Sequence, residues 1–138
     1  MKTLLSIIIL SLLMTLSVSV NAQIPNTQYA NNISYIAGGI GVEESTAMVA
    51  ESKNWPLMLE FSQIDKNGWG TWIASVRVTI FDGAKQEVFN TICDGPMLLI
   101  NLIPGPYEIV AVYDSVSQKK SAIIQKNNPQ KIAIYWKQ

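Results

Sequence analysis

The sequence predicts an all-β sandwich of about seven short strands, with one short helix near its start and an export signal ahead of it. Two observations carry the fold. Apolar residues recur with a period of two in one segment after another, and clusters of Gly, Pro, Asn and Asp separate those segments at short intervals. A third observation carries the export: the first 22 residues have the three parts of a secretory leader.

In that leader Lys2 precedes an apolar run over 4–20, and Val20-Asn21-Ala22 puts small residues where a signal peptidase reads. An uncleaved membrane anchor is the other reading, and the five Ser and Thr residues inside the run (Ser6, Ser11, Thr15, Ser17, Ser19) favour the cleaved signal. The residue directly after Ala22 is Gln23 and not a cysteine that could accept a lipid, so the protein is expected free in the periplasm or outside the cell, not embedded in a membrane. Cleavage leaves 116 residues, one ordinary domain able to bury about 65% of its unfolded surface. Residues 23–32 read as an extended lead-in and 33–138 as the sandwich. Cys93 is the one cysteine, so no intrachain disulfide exists; it is either a small buried apolar residue or a reactive or intermolecular thiol.

The elements follow in order. A short strand over 34–37 runs into Gly38-Gly39-Ile40-Gly41. Glu43 and Glu44 suit the positive end of a helix that Ala47, Met48, Ala50 and Glu51 continue to about Asn54, and Trp55-Pro56 stops it. Leu57, Leu59 and Phe61 then alternate with Met58, Glu60 and Ser62, and Val76, Val78 and Ile80 repeat the pattern. Asp65-Lys66-Asn67-Gly68 between them is a turn, which predicts that the two strands form a hairpin. A further turn over 81–85 leads to a strand over 87–92, broken by Asp94-Gly95-Pro96. Residues 97–102 are an apolar run, interrupted by Asn101 alone, that ends at Pro104-Gly105-Pro106. Tyr107, Ile109, Ala111 and Tyr113 alternate with Glu108, Val110, Val112 and Asp114 in a strand largely apolar on both faces, as one buried on both sides or paired centrally would be. Segments 121–125 and 131–136 complete the set.

Composition excludes several functions. Without Lys2 there are nine basic residues against ten acidic ones, which offers nucleic acid no electrostatic footprint. The chain has no histidine, so it lacks the commonest general base near neutral pH and the usual zinc ligand.

Tyr35, Gly38-Gly39-Ile40-Gly41, Glu43-Glu44, Leu57-Met58-Leu59-Glu60-Phe61, Val76-Arg77-Val78-Thr79-Ile80, Asp94-Gly95-Pro96-Met97-Leu98-Leu99 and Leu102-Ile103-Pro104-Gly105-Pro106-Tyr107 stand in an order that resembles the small exported carboxypeptidase regulatory-like domain-containing proteins. The resemblance runs over nearly all of the chain after residue 22. Pro104 to Tyr107 is also similar to the Pro-Gly-x-Tyr element of transthyretin-like and carboxypeptidase regulatory domains, although a proline at 106 departs from the polar or basic residue common there. The resemblance implies a seven-stranded antiparallel, transthyretin-like sandwich and an exported protein. It implies no reaction, because the regulatory-type sandwich is the non-catalytic companion of a zinc peptidase domain for which this chain has no room.

The expected role is therefore non-enzymatic, without cofactor or metal: an envelope accessory or protein-binding module that takes another envelope protein or an extended peptide. The alternative is a carbohydrate or cell-wall module using exposed tryptophans. The candidate binding residues are Asp65, Asn67, Trp69, Trp72 and Asp94, on the loops 65–72 and 94–97. Trp69, flanked by glycines, is the tryptophan most exposed by its context. Asp65-Lys66-Asn67-Gly68 is similar to the start of a calcium loop, but no acidic ligand follows at the twelfth position and a plain turn is the stronger reading. Gly38-Gly39-Ile40-Gly41 ahead of a helix offers backbone N–H groups to an anion, or simply turns the chain. Glu60, Asp82, Asp94 and Glu108 show no pairing for acid–base work.

Overall fold

In the computed structural model, which describes residues 23–138, the chain forms ten strands and one α-helix. The expected leader, residues 1–22, lies outside the described residues. The elements are β1 (Gln28–Ala30), β2 (Ile33–Gly38), α1 (Val42–Glu51) with a 3₁₀ turn at Ser52–Asn54, β3 (Leu57–Ile64), β4 (Gly70–Trp72), β5 (Val76–Phe81), β6 (Glu87–Cys93), β7 (Met97–Ile100), β8 (Gly105–Tyr113), β9 (Val116–Ile124) and β10 (Gln130–Lys137). One sheet has the order β1-β2-β7-β3-β10, with β4 paired to β3; the other has the order β6-β5-β8-β9.

The all-β class, the two sheets and the single short helix agree with the sequence reading, and three details correct it. There are ten strands rather than about seven: β1 and β4 are three-residue strands in segments too short to show a period. The sandwich is not wholly antiparallel. β10 lies parallel to β3 over their full eight residues, Gln130 opposite Leu57 through Lys137 opposite Ile64, because the chain crosses between sheets after β9. The predicted hairpin between β3 and β5 does not form either. The turn at 65–68 is present, but it joins β3 to β4, and β5 starts the second sheet beside β6 and β8.

Alternation explains the interior. Leu57, Leu59 and Phe61 of β3 face Val76, Val78 and Ile80 of β5 in the main core between the sheets. Their neighbours on β3 point to the opposite face, where Met58 joins Met48 of α1 and Ile36, Met97 and Leu99 in a second, smaller core. This layer of helix accounts for the apolar run in β7. Leu98 and Ile100 enter the main core while Met97 and Leu99 lie under the helix, so all four are buried. β8 pairs centrally between β5 and β9.

Side-chain hydrogen bonds tie the sheets together at their edges. Trp136 Nε1 donates to Val116 O at 2.8 Å, and Asn31 Nδ2 donates to Val88 O at 3.1 Å. Tyr107 Oη donates to Ile103 O at 2.8 Å, so the ring at the start of β8 clasps the Pro104-Gly105 turn that precedes it. Burial, and then the nearby Asp82 carboxylate, push the Tyr107 phenol above its ordinary value.

Candidate functional site

The candidate site is a notch in the larger sheet, and its origin lies in how β3 shares one edge. β10 occupies the other edge of β3 throughout. On the shared edge β7 pairs with residues 57–60, and β4 pairs with residues 62–64. Phe61 stands at the changeover: its N–H donates to Pro96 O at 2.9 Å, and its carbonyl accepts from Ile73 N at 3.2 Å. Beyond β7 the sheet continues into β2 and β1, but beyond β4 it stops. β4 thus has an open edge, and the space beside it is walled by the end of β2, the start of α1 and Pro96.

That space is a groove of about 520 Å³ lined by the loop and helix residues Gly39 to Val42 and Ser45, by Trp72 to Ala74 and by Pro96. Its rim carries apolar side chains in water: Ile40 is 65% exposed, Val42 77% and Trp72 51%. Trp72 pairs across from Ser62, on the same face of the sheet as α1, so its ring borders a second groove of about 350 Å³ that includes Val49, Glu60 and Lys131. Glu60 Oε1, shielded from solvent, meets Lys131 Nζ at 2.9 Å in an ion pair without hydrogen-bond alignment.

The backbone at the open edge is also defined. Asp65 N–H bonds Trp69 O and Ile73 N–H bonds Phe61 O. In an antiparallel ladder the bonded pairs alternate, so Thr71 spends its backbone groups on β3. Gly70 and Trp72 direct theirs away from β3, toward the open edge.

Two motifs that are far apart in sequence build the wall of the notch. Gly95 packs directly on the backbone of Gly38, where a Cβ at position 95 would overlap the Gly38 carbonyl. Glu44 Oε1 accepts from Gly39 N at 2.8 Å and from Ile40 N at 3.4 Å. Two N–H groups of the Gly-rich loop are therefore taken by a carboxylate from the helix's own first turn, and the loop serves to turn the chain.

The structure separates the candidate residues found in the sequence. Trp72 lies in the notch. Asp65 and Asn67 belong to the β3–β4 turn, in which Asp65 Oδ1 accepts from Asn67 N at 2.8 Å and from Trp69 N at 3.0 Å. Asp82 builds the same five-residue turn between β5 and β6, accepting from Ala84 N at 2.9 Å and Gln86 N at 3.0 Å. Trp69 is 75% exposed at the tip of its turn and lines neither groove. Asp94 is exposed beside Cys93 and lines neither groove. Cys93 is fully buried; desolvation first, and Asp94 second, push its thiol up to about 12, so it is protonated and unreactive at neutral pH.

Sequence reasoning missed Ile40, Val42 and Val49. The available signal was the pair Val42 and Val49, seven residues apart and so on one stripe of a helix whose buried residue is Met48.

Among the described residues no group of three or more His, Cys, Asp or Glu is placed to hold a metal ion, and no helix is long and apolar enough to cross a membrane. Compared with known proteins, the chain matches no family model and no curated protein.

Proposed function

We propose that the protein is an exported, non-catalytic binding module of the cell envelope, a transthyretin-like sandwich of the carboxypeptidase regulatory-like kind, which receives an extended segment of another envelope protein in the notch beside β4. The observation that carries this reading is the open β4 edge next to an apolar groove. An added strand would take hydrogen bonds from the outward backbone groups of Gly70 and Trp72. Its alternate side chains would enter the groove among Ile40, Val42 and Trp72, each contributing on the order of 1–2 kcal/mol on burial. The non-catalytic part of the proposal rests on the chemistry of the side chains: the thiol is protonated, Glu60 is paired with Lys131, and Asp65 and Asp82 are spent on turns. A tryptophan platform for glycan has less support, because Trp69 and Trp72 do not share a groove.

The test is selection of short peptides from a displayed library, followed by calorimetric titration of the recovered sequence. Trp72→Ala and Val42→Asp should each weaken binding about tenfold or more. N-methylation of alternate peptide amides should abolish it on one phase of the alternation and not the other. Peptides whose affinity ignores both manipulations would refute strand addition at this edge.

A further inference from the structure

A third concavity, at the opposite end of β3 from the β4 notch, has a different chemistry. It measures about 450 Å³ and lies where three connections meet: the 3₁₀ turn leading into β3, the link from β7 to β8, and the link from β9 to β10. Five carboxamides line it: Asn54, Asn101, Gln125, Asn127 and Asn128. Lys53 and Lys126 join them from two different connections, and no carboxylate is among the lining residues. Trp55 supplies a half-buried ring, with three of the chain's six prolines, Pro56, Pro104 and Pro129, around it.

We infer that this cleft binds a carboxylate-bearing saccharide. A carboxamide carries a donor and an acceptor on one planar group, which suits the neighbouring hydroxyls of a sugar ring. The flat apolar faces of Trp55 and the prolines suit the C–H face of the same ring. Two ammonium groups in the lining against one adjoining carboxylate, Glu51, whose oxygens are engaged by Trp55 and Asn54, leave the cleft net positive and select for negative charge.

The polar groups are also held in place before any ligand arrives. Glu51, outside the cleft, accepts from Trp55 Nε1 at 3.2 Å and from Asn54 Nδ2 at 3.3 Å. This satisfies the indole N–H and leaves Asn54 Oδ1, and the part of the ring not packed against the second core, for a ligand. Asn128 Nδ2 donates to Gln125 Oε1 at 3.0 Å, which leaves Asn128 Oδ1 and Gln125 Nε2 as an acceptor and donor pair. Gln130 N donates to Pro56 O at 3.0 Å and Asn101 N to Ser34 O at 3.0 Å, so the connections are anchored to the larger sheet. Side-chain order of this kind lowers the entropic cost of binding. The inference rests on these residues alone and does not depend on the β4 notch.

The test is a titration of ¹⁵N-labelled protein with a galacturonate trimer, with the uncharged galactose trimer and with trialanine as comparison probes. The acidic trimer should shift the side-chain amide resonances of Asn54, Asn101, Asn127 and Gln125 while those around Trp72 stay in place. Lys53→Ala and Lys126→Ala are exposed changes that leave the fold intact, and together they should weaken binding about tenfold, with raised salt weakening the wild type severalfold. Absence of any shift at about 10 mM acidic trimer would overturn the inference. So would equal affinity for the neutral trimer, tighter binding of trialanine, or indifference to the lysine changes.

Discussion

Cys93 converts its burial into a measurable dependence of stability on pH. Its thiol, at the end of β6, is fully shielded, and the folded protein pushes its pKa from 9.0 up to about 12. In the unfolded chain the thiol ionises near its ordinary value. Below about pH 9 it is protonated in both states, and its contribution to stability is fully present. Between about pH 9 and 12 the unfolded chain loses the proton while the folded one retains it, so stability falls by about 1.4 kcal/mol per pH unit; above about 12 the contribution is gone. At pH 10.5 the loss is about 2 kcal/mol. Cys93→Ala removes the titration and leaves a small cavity that costs about 1–2 kcal/mol at every pH. Urea unfolding of both proteins, followed by tryptophan fluorescence at pH 8 and pH 10.5 under reducing conditions, isolates the difference, since the tyrosines and lysines titrate alike in both. The advantage of the wild type at pH 8 should vanish or invert by pH 10.5. A gap that stays constant across this range would refute the burial of the thiol and the packing of β6 against the main core.

Three further predictions concern the frame of the site. Gly95→Ala should cost about 3 kcal/mol or more, because the added methyl meets the Gly38 backbone rather than a movable side chain; the melting temperature checks it. Asp65→Ala and Asp82→Ala should each cost about 1–2 kcal/mol in chemical denaturation, since each removes the acceptor for two backbone N–H groups in an equivalent turn. Similar losses from the two are expected, and a large difference would mean that one of the carboxylates has another role. Tyr107→Phe should cost about 1 kcal/mol through loss of the bond to Ile103 O, and the effect should appear in calorimetric unfolding without a change in secondary structure.

What could be read in the sequence was what local chemistry determines. Pro56 stops the helix, Asp65-Lys66-Asn67-Gly68 turns the chain, the period-two segments become β3, β5 and β8, and the segment between the turns at 81–85 and 94–96 becomes β6. What could not be read depends on pairing between distant segments. The turn at 65–68 indicates that a strand returns along β3, but Gly70-Thr71-Trp72 is too short to reveal a period, and so the sequence pattern points to β5 as the return. The four buried residues of β7 look like any apolar run until α1 is placed over one face of the sheet. The notch is less legible still, because it exists only through the registers of β7 and β4 along one edge of β3. Of the candidate binding residues, Trp72 lies there, and Ile40 and Val42 become visible only when their exposure is known. Asp65 and Asn67 are legible through their turn chemistry, and the turn is where they are used.

The most direct measurement of the central claim is amide hydrogen exchange at Gly70 and Trp72, with and without a peptide selected for binding. The account predicts that both amides exchange readily in the free protein and are protected about tenfold or more in the complex, while Thr71, bonded to β3, changes little. A bound peptide that leaves Gly70 and Trp72 unprotected, or protects an edge of β1, β6 or β9 instead, would contradict it.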